Sequence, residues 1–159
     1  MAAPASTVRV TPVGIKLDDG FSTKIAFARD SNVSFWEKSV SPPGLDGGEA
    51  IETTTMHNLI YRTMASRALV TLTESSLTVA YDPNVYNDIL TNLINQEGSI
   101  TVHFPDSSKL DFYGYLRTFE PSELSEGEQP EATVTITPTN FDPVNRVEAA
   151  PVLTSVAGT

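Results

Sequence analysis

The chain has 159 residues, 40% of them apolar, and its 20 acidic against 10 basic side chains leave a net charge of −10. That length predicts one domain with a core of its own, and that charge excludes a strong grip on nucleic acid backbone, which needs lysine and arginine to displace counterions. Cysteine is absent, which excludes disulfides, thiolate catalysis and cysteine-rich zinc sites.

The opening MAAPASTVRV has neither a basic n-region nor an apolar h-region, so no signal peptide is expected. No apolar run approaches the ~20 residues of a membrane helix, so no membrane anchor is expected. Asn32-Val33-Ser34 matches the glycosylation sequon, which without a secretory signal is read as fortuitous. Residues 1–12, with Pro4 and Pro12, read as an N-terminal arm. A short strand over 13–17, a turn at Asp18-Asp19-Gly20 and a strand over 21–29 form an expected hairpin. Asp18 and Asp19 are read as turn residues, because adjacent carboxylates on a strand point to opposite sides and the spaced ligands of a calcium loop are missing.

A strand over 32–40 puts Val33 and Phe35 on one face and Trp36, the one tryptophan, on the other. An aromatic opposite the core face marks Trp36 as a candidate interface anchor. Residues 41–50, SPPGLDGGEA, combine two prolines that block pairing with three glycines that are costly to order. They lack the lysine and serine or threonine of a phosphate loop. A strand is expected over 51–55, and irregular structure over 56–67, although Met56, Leu59, Ile60 and Met64 stand at helical spacing. His57 lies there and is read as a surface group, with His103 too distant in sequence to form a recognisable pair.

Over 68–81 the apolar phase changes, from Val70 and Leu72 on even numbers to Leu77, Val79 and Tyr81 on odd ones. One flat strand cannot place both sets on one face, so a break is expected at Glu74-Ser75-Ser76. Asp82 as N-cap and Pro83 at the first helical position predict a helix over 83–97. Its apolar stripe is Tyr86, Ile89, Leu90, Leu93 and Ile94, and Gly98 is its expected terminator. Strands follow over 99–104 (Ile100, Val102 and Phe104 inward), 109–119 and 132–138. In the second, Leu110, Phe112 and Leu116 share one side, and Tyr113, Tyr115 and Phe119 the other. Residues 121–131 carry four glutamates and read as a solvated hairpin loop, too wet to set two carboxylates apart as acid and base,. Residues 139–159 read as a polar C-terminal arm that orders on a partner. The fold class is therefore mainly β: a β-sandwich or half-barrel of about seven strands with one packed helix.

Taken as a series, these segments resemble the major tail tube protein of long-tailed (siphovirus-type) bacteriophages. The resemblance is carried by Ile51-Glu52-Thr53-Thr54-Thr55, Arg67-Ala68-Leu69, and Leu77-Thr78-Val79-Ala80-Tyr81-Asp82-Pro83. It continues through His103-Phe104-Pro105-Asp106, Phe112-Tyr113-Gly114-Tyr115-Leu116 and Pro130-Glu131-Ala132-Thr133-Val134-Thr135-Ile136. It covers residues 13–138, the expected tail-tube domain. It implies hexameric rings stacked into a hollow tube, with strands shared in an inner β-barrel and the helix outside; with no cysteine, no paired histidines and no phosphate loop, the residues themselves predict no cofactor, metal or catalytic site. A docking loop between early strands maps onto residues 40–50, with Pro42, Pro43, Gly44, Leu45, Asp46, Gly47, Gly48 and Glu49 as its contact residues. Implied partners are copies of itself, the tape measure, tail tip and terminator proteins, and double-stranded DNA in transit without specific binding. The implied location is the virion, after assembly in the bacterial host cytoplasm. Glu74 and Asp111, on predicted strands, are the candidate lumen-facing carboxylates. Two features depart from the family: Ala68 stands where a glycine is common, and the C-terminal segment is a short arm rather than an immunoglobulin-like domain. A single-ring protein of a tube end or secretion tube, and a monomeric ligand-binding β-barrel, remain as alternatives.

Overall fold

The computed structural model describes residues 23–30, 33 and 35–155. Its strands, in chain order, are β1 (Lys24–Phe27), β2 (Trp36–Ser41), β3 (Leu45–Asp46), β4 (Ile51–Glu52), β5 (Met64–Ala65), β6 (Thr71–Leu72), β7 (Ser75–Ala80), β8 (Gly98–His103), β9 (Lys109–Pro121), β10 (Glu131–Pro138), β11 (Phe141–Asp142), β12 (Val147–Glu148) and β13 (Val152–Thr154). The expected turn at 18–20 and the strand over 13–17 lie outside the described residues, as does the N-terminal arm.

The principal sheet is antiparallel and runs β1-β8-β9-β10-β7-β2, with β13 also paired to β9. The 13-residue β9 is its spine. One edge of β9 takes β8, and the other takes β10 and then β13. Period-two alternation sends Ile100 and Val102 of β8, Phe112 and Leu116 of β9, Leu77 and Val79 of β7, and Val134 and Ile136 of β10 into one core,. Ala132 and Ser75 share that face, and Ser75 is buried because its hydroxyl donates to the Ser41 carbonyl at 2.7 Å.

Phe119 does not lie with Tyr113 and Tyr115. Between Thr135 and Ile136 the partner on β9 jumps from Thr118 to Leu116, leaving Arg117 as the extra residue of a β-bulge,. The bulge reverses the phase, so Phe119 and Leu116 face the core side together, opposite Val134 and Ile136. Phe119 then stacks on Phe35 (6.3 Å between ring centroids) and meets Tyr81 and Tyr86 at 6.0 and 6.4 Å.

The helix is shorter than its stripe suggests. Asp82 caps it, accepting from the Asn84 amide at 2.9 Å, with Pro83 next. A 3-10 turn Pro83–Val85, one α-turn Tyr86–Asp88 and a π-turn Ile89–Leu93 follow, closed by the Ile94 amide on the Ile89 carbonyl at 2.9 Å. Ile94 is already extended, and Asn95, at φ 57°, supplies the left-handed residue in place of Gly98, which opens β8,. Two forces end it early. Asn84, Asn87, Asn92 and Thr91 are weak helix formers, and the sheet captures the chain, with the Asn95 amide donating to the Leu116 carbonyl at 3.0 Å. Arg29 donates to the freed Asn92 and Glu97 carbonyls, both at 3.3 Å. Of the predicted stripe, Ile89 and Leu93 are buried and Ile94 packs against the core, while Tyr86 and Leu90 remain largely exposed.

Among the described residues the sheet does not close into a barrel. β1 and β2 end the strand order without a backbone ladder between them. A carboxylate bridges that seam: the Ile25 amide on β1 donates to Glu37 Oε1 on β2 at 2.9 Å. Phe27 and Phe35 meet edge to face, 5.9 Å between centroids. A bulge at Lys38 breaks the β2–β7 register beside Glu37. Glu37→Ala should speed hydrogen exchange of the Ile25 amide by about tenfold or more, since a half-buried donor loses its acceptor. Glu37→Gln, which keeps an acceptor oxygen, should leave that exchange near the wild-type rate.

The C-terminal segment is folded rather than a loose arm as far as Ser155. Asp142 nucleates a β11–β12 hairpin: its carboxylate accepts from the Val144 and Asn145 amides (2.9 and 3.2 Å) and from Asn145 Nδ2 (2.7 Å), with Arg146 at φ 57°,. β13 then returns to pair Val152 with Asp111. The Asn145 side chain is the main cause holding the Asp142 carboxyl below its ordinary 3.8. A depressed folded pKa stabilises above the unfolded value and is lost as pH falls through the folded one. The hairpin should therefore loosen only below about pH 4, and Asp142→Asn should flatten that acid response, both read from amide exchange at Val147.

Candidate assembly surface

Between β2 and β7 the chain leaves the sheet and returns, and residues 42–73 form a two-limbed ribbon. The sequence pattern hid this. Leu45 pairs with Leu72 and Asp46 with Thr71, then Ile51 pairs with Ala65 and Glu52 with Met64. The proline- and glycine-rich stretch is thus one limb of a ladder. Its base is clamped at Gly44, whose amide donates to Thr73 Oγ1 (2.8 Å) and whose carbonyl accepts the Thr73 amide (2.9 Å). Halfway out, Gly48 sits at φ 79°, its amide on Asp46 Oδ1 at 2.8 Å, and a Cβ there would lie 2.8 Å from Arg67 Cδ. Arg67 Nε in turn donates to the Glu49 carbonyl at 2.8 Å, fastening limb to limb.

Beyond β4 the threonines continue the ladder with side chains. The Thr53 amide meets the Thr63 carbonyl at 2.8 Å, and the Thr63 amide meets Thr54 Oγ1 at 3.0 Å. Asn58 closes the tip, accepting the Thr55 amide at 2.8 Å and donating to the Tyr61 carbonyl at 3.0 Å. Helix formation over 56–64 therefore loses to local side-chain bonds. The apolar residues at helical spacing are left in solvent: Met56 is 101% exposed, Leu59 96% and Ile60 83%, with Tyr61, Met64, Leu69 and Val70 also exposed. Leu72, at the base, is the ribbon's buried apolar side chain. Large apolar side chains left in water in such number are characteristic of interaction surfaces,. The expected break before β7 falls at Thr73-Glu74 and separates this ribbon from the principal sheet.

The other sequence candidates scatter over the molecule. Pro42, Pro43, Gly44, Leu45, Asp46, Gly47, Gly48 and Glu49 make up the ribbon's first limb. Trp36 is 71% exposed on edge strand β2, opposite Ala80. Glu74 accepts from Arg117 Nη2 at 3.1 Å, and Asp111 accepts from the Thr101 hydroxyl at another part of the sheet. His57 is in the ribbon and His103 at the end of β8. Among the described residues no group of three or more histidines and carboxylates is placed to hold a metal, and no helix is long and apolar enough to cross a membrane. A depression of about 420 Å³ is lined by Ser122, Glu123, Glu128, Gln129 and Glu131. Those walls are polar, unlike the apolar walls of a small-molecule site.

No family model and no curated protein matches the chain. Solved structures do. The fold is shared with chains of tail and baseplate particles. A chain of the anti-feeding prophage baseplate (6-fold symmetrised) superposes with a TM-score of 0.56 at 10% identity, over 85% of this chain and 92% of that one. A chain of the virion of the native gene transfer agent particle gives 0.57 at 10% identity over 87% and 100%. A chain of the tail of the empty gene transfer agent particle, of C6 symmetry, gives 0.55 at 10% identity over 89% and 100%.

Proposed function

We propose that this chain is a structural virion protein that assembles with copies of itself into hexameric rings, stacked as the tube of a phage-type tail through which DNA passes into the host. The observation that carries the reading is the ribbon over 42–73, whose apolar tip is satisfied in no way by its own sheet. Seating on a neighbouring copy removes that surface from water, and a heterologous contact of this kind closes into rings or continues as a stack. The fold shared with tail particles of C6 symmetry supports six copies per ring. Tape measure, tail tip and terminator proteins are the further partners. The location is the virion, after assembly in the host cytoplasm, and no enzymatic role or cofactor is assigned.

The shared fold with a baseplate chain favours one second reading, a ring at a tube end that does not stack. Negative-stain microscopy of the purified chain over a concentration series, with and without a tail-tip initiator, separates the two. Tubes support the first reading, single rings the second, and monomer under every condition overturns both.

A further inference from the structure

Four neighbouring strands present hydroxyls in register on the face opposite the core. Ser41, Ser76, Thr135 and Thr118 stand side by side in one row across β2, β7, β10 and β9, and Ser39, Thr78, Thr133 and Glu120 in the next. No residue of either row is apolar or basic. Farther along the same side of the sheet stand Lys24 and Lys109, in register through His103. Over the hydroxyl rows themselves reach two cations, each the extra residue of a β-bulge: Lys38 in β2 and Arg117 in β9. Each lies across an intervening strand to a carboxylate. Lys38 Nζ crosses β7 to Glu131 Oε1 on β10. Arg117 Nη2 crosses β10 to Glu74 Oε2, 3.1 Å away in the break just before β7, where Thr137 Oγ1 also approaches Glu74 at 3.5 Å. Pairs this exposed add little to stability, so two bulges that each place a cation on a carboxylate need another explanation.

We propose that this hydroxyl face lines the bore of the assembled tube, and that Glu74 and Glu131 mask Arg117 and Lys38 from the phosphates of the duplex passing through it. The inference rests on the tube reading above. An unmasked lysine or arginine on a bore wall, repeated around the ring, would displace counterions at several phosphates at once and hold the DNA. Neutral hydroxyls and a bonded cation do not. In this account Glu74 acts by cancelling one specific charge rather than by adding to a general acidic field.

The test is co-sedimentation of a short linear duplex with tubes of the wild-type chain, Glu74→Gln, Glu131→Gln and Glu120→Gln at low salt. All three substitutions remove one negative charge per chain, but only the first two release a cation. Retained DNA should rise by about tenfold or more for Glu74→Gln and Glu131→Gln, fall away as salt is added, and stay at the wild-type level for Glu120→Gln. Combining Glu74→Gln with Arg117→Gln should return retention to the wild-type level. Equal retention by Glu120→Gln, or no gain in Glu74→Gln and Glu131→Gln, overturns the masking role. A cryo-electron microscopy map with this face outside the bore overturns its placement while leaving the tube reading intact, whereas a wild-type chain that forms no tubes overturns both. Should one variant fail to assemble, the other decides.

Discussion

Replacing Met56, Leu59 and Ile60 together by aspartate yields a chain that melts at the wild-type temperature and forms neither rings nor tubes. All three side chains stand in solvent, so their loss removes no core contact, and exposed substitutions of this kind shift stability by only about 0.5 kcal/mol,. The tip keeps its shape because its bonds come from the backbone and Asn58. What changes is the contact surface: burying three carboxylates without partners in a dry interface is far more costly than leaving them in water. Circular dichroism against temperature checks the first half and negative-stain microscopy the second. Tubes from the triple variant would show that the ribbon is not the assembly contact.

The largest stability effect belongs to the spine strand. Phe112 is 2% exposed, on the core face of β9 opposite Ile100. Truncation to alanine removes its packing and leaves a cavity that rigid neighbouring strands cannot collapse, at a cost of about 3–5 kcal/mol. For a chain of this length that lowers the melting temperature by roughly 6–20 °C. Tyr115→Ala, on the other face of the same strand and half-buried, should cost less than half as much. Leu93 and Leu90 form a matching pair on the helical segment. Leu93→Ala should cost about 2–5 kcal/mol, because Leu93 is buried, and Leu90→Ala should be close to neutral, because Leu90 is exposed,. Urea denaturation of the four variants gives the comparison, and a Phe112 variant as stable as Tyr115→Ala would contradict the assignment of the core face.

The sheet was legible where alternation is unbroken. Ile100 and Val102, Leu77 and Val79, and Val134 and Ile136 name the core face of β8, β7 and β10 from sequence alone. The phase change before β7 signalled a break, which falls at Thr73-Glu74 while Ser75 and Ser76 already belong to β7. Where one extra residue enters the ladder, the pattern misleads: Arg117 shifts the phase, and Phe119 passes to the core side with no local signal to announce it. The helix end was misplaced for a different reason. Its stripe continues to Ile94, but the Leu116 carbonyl captures the Asn95 amide, a tertiary bond that no window of sequence contains. The C-terminal hairpin did have a signal, the Asp142-Pro143-Val144-Asn145 turn, which the polar composition of its surroundings obscured.

The ribbon is the most instructive case. Its first limb reads as loop because of Pro42, Pro43, Gly47 and Gly48, and its tip reads as irregular, with Met56, Leu59, Ile60 and Met64 at a helical spacing that no cap supports. Neither half shows the other as its partner, since β3 and β6 pair across about 26 residues of chain. Thr53, Thr54 and Thr63 carry the ladder with hydroxyls rather than with an alternating apolar face, so period-two patterning has nothing to register. The same is true of the seam, where the Glu37 carboxylate and the Phe27–Phe35 contact join the two ends of the sheet.

Cryo-electron microscopy of the purified chain at rising concentration, with a tail-tip initiator added, tests the central claim most directly. Stacked six-fold rings are expected, with the ribbon over 42–73 seating its tip on a neighbouring copy. A chain that stays monomeric throughout, or rings in which Met56, Leu59 and Ile60 remain in solvent, would contradict it.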